Sequence, residues 1–119
     1  MNQETVKMWV EHYITAWKTN APEDIARLFS EDALYYTGPF AKPWRGQKKI
    51  VKAWLARKDE PQDWKFRYEV VTSDDACGVV RGWTKYKKPA REYSNLWVIR
   101  FDDAGRCREF TEWWIQRPK

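Results

Sequence analysis

Cysteine, histidine and glycine are all scarce in this chain, and long apolar runs are missing. Two cysteines, Cys77 and Cys107, are too few for a disulfide framework and lack metal-ligand spacing, so both are expected as reduced packing residues. The single histidine, His12, leaves no histidine pair for zinc or non-haem iron, and no metal is expected. The five glycines stand apart at positions 38, 46, 78, 82 and 105, so a Gly-rich phosphate loop is absent. These absences set aside metalloenzymes, kinases, nucleotide-binding proteins and triad hydrolases, and no cofactor is expected. No stretch approaches the roughly 18 apolar residues of a membrane span, and the beginning, MNQETVK, has no apolar core of a signal peptide. A cytoplasmic protein without a membrane partner is the expectation.

With 119 residues the chain is expected to be one domain, 1–119. Its 20 aromatic residues, nine of them Trp, outnumber the 17 Ile, Leu and Val. The net charge is +5, and the basic residues concentrate between Lys42 and Lys49 and in Arg81, Lys85, Lys87, Lys88 and Arg91. Nucleic acid is not the expected partner, because stacking on bases needs rings exposed beside the charges and these rings are predicted to face inward. A solvated hairpin rim that blunts a strand edge is the plainer reading of the basic residues.

Val6, Trp9, Val10, Tyr13 and Trp17 recur at helical spacing, with Lys7, Glu11 and Lys18 on the opposite side, which predicts an amphipathic helix over about 4–18. Pro22, Glu23 and Asp24 open a short second helix that buries Ile25, Leu28 and Phe29. Asp32 to Thr37 reads as a strand, and a third helix is predicted at about 47–58 with Ile50, Val51, Trp54 and Leu55 inward. From Pro61 the period changes to two: Trp64, Phe66, Tyr68 and Val70 share one face, and further strands are predicted at about 77–86, 92–101 and 106–116. Lys87-Lys88-Pro89-Ala90 and Asp102-Asp103-Ala104-Gly105 supply hairpin turns. Helices followed by an antiparallel meander make an α+β plan, a strongly bent antiparallel sheet on three N-terminal helices, with a pocket where the helices only partly fill it.

Four segments together carry a family resemblance: His12-Tyr13-Ile14; Ile25 to Ala33; Gly46 with Ile50 and Trp54; and Arg100 to Arg106 followed by Phe110 to Trp114. In this order and spacing the chain resembles the nuclear transport factor 2-like superfamily, in particular its SnoaL-like and ketosteroid isomerase-like small-molecule proteins. The resemblance implies a cone-shaped sheet capped by helices and a homodimer through the outer sheet face. It also implies an inward row Tyr93, Asn95, Trp97 and Ile99 facing a second row Phe110, Glu112 and Trp114. Tyr13 falls where the isomerases keep the tyrosine that donates to the substrate oxygen. Trp97 stands where they keep an acidic second donor, and Thr37 or Gly38 where they keep the carboxylate base. Since the fold serves dehydratases, cyclases, epoxide hydrolases, isomerases and binders, it names no reaction by itself.

Glu112 is the leading catalytic candidate, because alternation puts it between Phe110 and Trp114 on an apolar face where desolvation raises a carboxyl's pKa. A structural ion pair with an arginine is the alternative. Tyr13 is the second catalytic candidate, as a donor to a substrate oxygen or else as a core tyrosine bonded to a neighbour. Asn95, between Tyr93 and Trp97 on one face, is a positioning group rather than a catalyst. Asp32 is expected to cap or pair locally, and His12, about 115° from the stripe centre, to flank solvent. Ligand contacts are expected from Asn95, Trp97, Trp114, Phe110, Trp17, Trp54, Tyr93 and Tyr35, with Trp44 and Trp64 as further wall candidates. Three functions remain open on these residues. One is a cofactor-independent lyase, isomerase or hydrolase moving a proton on a small apolar oxygenated substrate. The second is a non-enzymatic binder of a hydrophobic or cationic molecule, and the third a dimerisation module with a filled interior. Leu96, Val98, Trp113 and Ile115, predicted on the outer sheet face, support a homodimer.

Overall fold

Asn2 starts the first helix, α1 (Gln3–Thr19), by accepting the Thr5 backbone N–H at 2.9 Å in the computed structural model, which describes residues 2–118. The helix ends where Asn20 turns left-handed, φ 51°, and its N–H closes on the Ala16 carbonyl. Its apolar stripe buries Val6, Trp9, Val10, Tyr13 and Ala16. Pro22 at the first position of α2 (Pro22–Ala26) needs no N–H there, and Glu23 and Asp24 face the positive end of the short helix. Gln47 fastens α3 (Gln47–Ala56) back to the chain by donating to the carbonyls of Ala26 and Phe29 at 2.7 and 3.0 Å.

The strands are β1 (Phe29–Tyr36), β2 (Trp44–Arg45), β3 (Trp64–Ser73), β4 (Cys77–Lys87), β5 (Ala90–Phe101) and β6 (Cys107–Gln116). They form one curled sheet in the order β2-β1-β6-β5-β4-β3. The β3–β6 meander is antiparallel, as its short connections require, and its turns are locally closed. Asp102 Oδ1 accepts the N–H groups of Ala104 and Arg106, and Gly105 takes φ 81°.

Two expectations are corrected. The sheet is mixed rather than antiparallel, because β1 pairs parallel to β6. Alternation identifies a strand but not its neighbour, and these two are joined through α3 and four strands rather than by a turn. Phe29 belongs to β1 and not to the short helix. A register shift between Phe29 and Leu34 puts Phe29 and Ser30 both inside, which breaks the two-residue period at the strand's start. The two-residue β2, which pairs Trp44 with Tyr35, is too short to show any period.

The core lies between α1 and the concave face, where Trp97, Ile99, Val80, Phe110 and Phe29 are fully enclosed. Gly82 marks a close approach there: a Cβ would sit 2.5 Å from two ring carbons of Phe66, whose ring stacks on Trp97 at 5.1 Å. Gly82→Ala is therefore expected to cost about 1–3 kcal/mol of overpacking, read as a lower urea midpoint. An unchanged midpoint would show that the Phe66 ring has room to move.

Candidate functional site

The open end of the curled sheet holds a cavity of about 400 Å³. Its walls come from α1 (Tyr13, Trp17), β1 and β2 (Tyr35, Trp44), α3 (Trp54) and the sheet (Thr84, Tyr86, Tyr93, Asn95, Trp97, Glu112, Trp114). Tyr13 reaches it because the helical stripe aims at the sheet, while Asn95, Trp97 and Glu112 reach it because strand alternation turns them to the concave side. Asn95 and Trp97 lie on β5 directly across from Trp114 and Glu112 on β6.

Glu112 sits half-buried with one oxygen held. Oε2 accepts Trp97 Nε1–H at 2.8 Å and Asn95 Nδ2–H at 3.1 Å. Oε1 has no protein partner among the described residues. Thr84 donates to Asn95 Oδ1 at 2.7 Å, which orients the amide so that its NH₂ meets the carboxylate. Burial pushes the Glu112 pKa up from its ordinary 4.5 to about 6, the two N–H donors hold it back, and Asp59 adds a further push. No guanidinium pairs with it, so the structural ion pair considered from sequence is not what holds this carboxyl.

The second feature is a pair of hydroxyls. Tyr13 and Tyr35 lie 2.8 Å apart and are both buried. Burial raises both phenols well above their ordinary value of 10, with the other tyrosine and Glu112 adding to Tyr13, and Glu112 adding to Tyr35. Both stay protonated, so one O–H is used within the pair and the other is left to donate.

Of the expected contacts, Tyr13, Glu112, Asn95, Trp97, Trp114, Trp17, Trp54, Tyr93 and Tyr35 all line the cavity. Phe110 does not. It is fully buried behind the wall, with Tyr35 and Trp97 ring centres at 4.7 and 5.3 Å, because the sheet curls tightly enough for α1 to cover that position. Trp64 is likewise off the wall, stacked at 3.7 Å on Trp17 with its Nε1–H buried and unpartnered. His12 is exposed, and Asp32 accepts from Ser30 at 3.2 Å. Thr37 is on the wall, and its carbonyl accepts Trp114 Nε1–H at 2.9 Å.

Sequence reasoning missed Asp59. Its Oδ2 accepts Trp17 Nε1–H at 3.1 Å and the Tyr86 hydroxyl at 2.9 Å, and its carbonyl accepts from Asn20 at 3.1 Å. Asn20 in turn accepts Trp54 Nε1–H, so one residue past the end of α1 fastens α3 and this loop together. The only sequence signal was indirect: inward indoles need acceptors, and few polar residues are available. Arg57, Lys58, Tyr86 and Arg91 complete the rim and were also not singled out as site residues. Among the described residues no group of three His, Cys, Asp or Glu side chains is placed to hold a metal ion, and no helix is long and apolar enough to cross a membrane.

A family model described as a SnoaL-like domain matches residues 10–110. No curated protein matches the chain at a significant level. Among solved structures it is similar to an NTF-2-like protein of unknown function from Burkholderia xenovorans LB400, at TM-score 0.78 and 11% identity over 100% of this chain and 89% of that one. It is also similar to a proposed ketosteroid isomerase from Kribbella flavida DSM 17836, at TM-score 0.75 and 14% identity over 98% of this chain and 82% of the other. A third, a ketosteroid isomerase-like protein from Erwinia carotovora atroseptica SCRI1043, gives TM-score 0.65 and 17% identity over 98% and 97%. Likeness at these identities carries the fold and no activity.

Proposed function

The chain belongs to the SnoaL-like family, and from that premise we propose that it is a cofactor-independent enzyme that moves a proton on a small apolar substrate bearing an oxygen function. The observation that carries this reading is the Glu112 carboxyl. It lies on an aromatic-walled cavity with one oxygen fixed by two N–H donors, the other unpartnered, and a pKa near the range where both protonation states are accessible. The substrate oxygen accepts the spare hydroxyl proton of the Tyr13–Tyr35 pair, and Glu112 takes a proton from the neighbouring carbon or from water and returns it. Donation from the tyrosine pair offsets the negative charge that develops on the substrate oxygen. Enone isomerisation, dehydration of a hydroxy ketone, cyclisation and epoxide opening all use these two parts.

The test is to incubate the protein with representatives of those four substrate types and follow products by mass spectrometry. Turnover of at least one class is expected. Tyr13→Phe should then lower kcat by about 10²-fold, as loss of an oxyanion donor does, with KM little changed. A Tyr13→Phe variant with full kcat would remove Tyr13 as the donor to the substrate oxygen, and full kcat in Tyr35→Phe as well would remove the pair from the mechanism.

The chain is further proposed to act as one domain and to pair with a second copy through the convex sheet face. Leu96 and Ile115 are exposed there, and Val98 and Trp113 are half-buried beside them. Light scattering should give twice the 14.4 kDa chain mass; a monomer at micromolar concentration would contradict this.

A further inference from the structure

Resting on the reading of this cavity as a substrate site, we propose that the ligand is a carboxylate. It would be a small apolar acid whose reacting oxygen points toward the Tyr13–Tyr35 pair, beside Glu112, and whose acid group lies against Arg57 and Arg91 at the rim.

The rim is built for an anion. Arg57, Lys58 and Arg91 all line the cavity, and none of them lies within ion-pair distance of an acid among the described residues. Arg91 is half-buried yet lacks a carboxylate partner: its guanidinium lies 4.1 Å over the Tyr86 ring and donates only to the Pro89 carbonyl at 2.9 Å. Arg57 lies 5.5 Å over Trp44. Both guanidiniums are thus mounted on rings, which leaves less side-chain freedom to lose when an anion binds. Of the two carboxylates on the cavity wall, Asp59 and Glu112, Asp59 stands two residues from Arg57, and its Oδ2 is already taken by Trp17 and Tyr86.

The same contacts argue against a cationic ligand. Cation recognition uses the faces of aromatic rings, and those of Trp44 and Tyr86 already carry the protein's own arginines. Deeper in the cavity there is no cation. Trp97 Nε1–H and one N–H of the Asn95 amide are spent on Glu112, and one hydroxyl proton remains at the tyrosine pair. One neutral oxygen function deep inside and one anionic group outside is the ligand this distribution fits. A guanidinium meets a carboxylate through two parallel N–H donors, so the pairing also sets orientation.

Calorimetric titration with cinnamate, methyl cinnamate and cinnamylamine tests this at neutral pH. These share a flat apolar body and differ in the charge of one end. Cinnamate should bind at least about 10-fold more tightly than the ester, with the gap narrowing at high salt. Arg57→Gln/Arg91→Gln should close the gap without weakening the ester. The single variants, each closing part of it, serve if the double variant does not fold. An acid that binds no more tightly than its ester, an amine that binds best, or a gap that survives both arginine replacements would overturn the proposal. Glu112→Gln separates it from the proton-transfer reading. Acid preference with undiminished turnover in that variant leaves the ligand class standing and removes the mechanism, and lost turnover without acid preference does the reverse.

Discussion

Glu112→Gln is expected to lower turnover by about 10²–10⁴-fold, the usual contribution of a positioned acid or base, while leaving the fold intact. Glutamine keeps the shape, and its amide oxygen can accept the N–H groups of Trp97 and Asn95 that Oε2 accepts now. It cannot carry a proton back and forth. The same variant has a stability signature that a merely structural residue would not show. In the folded protein the carboxyl titrates at about 6 rather than 4.5, so the folded state holds the proton more tightly than the unfolded state does. That stabilisation is fully present below the unfolded value and is lost as pH rises through the folded one. Above this window the wild type therefore carries a buried charge worth up to about 1–2 kcal/mol of lost stability, and Glu112→Gln does not. Thermal melts on both sides of the window should show the variant at least as stable as wild type on the alkaline side. A variant that loses stability there while keeping turnover would make Glu112 a structural group.

Phe110→Ala should produce the largest loss of stability, about 3–5 kcal/mol, against a total of roughly 5–15 kcal/mol for a domain. The ring is wholly enclosed between Trp9, Tyr13, Tyr35 and Trp97, with ring centres 4.7–5.9 Å away. Those neighbours are large, and they are tied elsewhere: Trp9 Nε1–H to the Leu28 carbonyl at 3.0 Å, Tyr13 to Tyr35, and Trp97 to Glu112. They cannot easily collapse into the space. Phe110→Leu retains most of the volume and should cost well under half as much. Urea unfolding of both variants gives the comparison. A loss below about 1 kcal/mol for Phe110→Ala would place the ring at the cavity, where the inward row implied by the family resemblance puts it.

What could be read in advance follows from range along the chain. The stripe of α1 and the alternation of β5 and β6 are local patterns, and they put Tyr13, Asn95, Trp97 and Glu112 on faces that do converge on one cavity. The convergence of those faces came from the family resemblance rather than from periodicity. Phe110 shows the limit of alternation: it shares a face with Glu112, yet how far α1 covers that face depends on packing depth. Asp59 shows another. It lies in the loop after α3, without a period, and its partners Trp17 and Tyr86 are 42 and 27 residues away. The parallel β1–β6 pairing and the shift at Phe29 are also settled by tertiary contacts. The aromatic excess was legible as composition and as inward faces, but its use was not. Part of it fills the core around Phe110, part walls the cavity, and Trp44 and Tyr86 carry arginines at the rim.

Proton transfer at this site depends on a carboxyl poised between its two protonation states inside an aromatic cavity. Carbon NMR of the Glu112 side-chain carboxyl, assigned by its absence in Glu112→Gln and followed across pH, measures this directly. A midpoint near 6 is predicted. A midpoint near the ordinary 4.5 would show a solvated carboxylate and would contradict the proton-transfer role proposed for it.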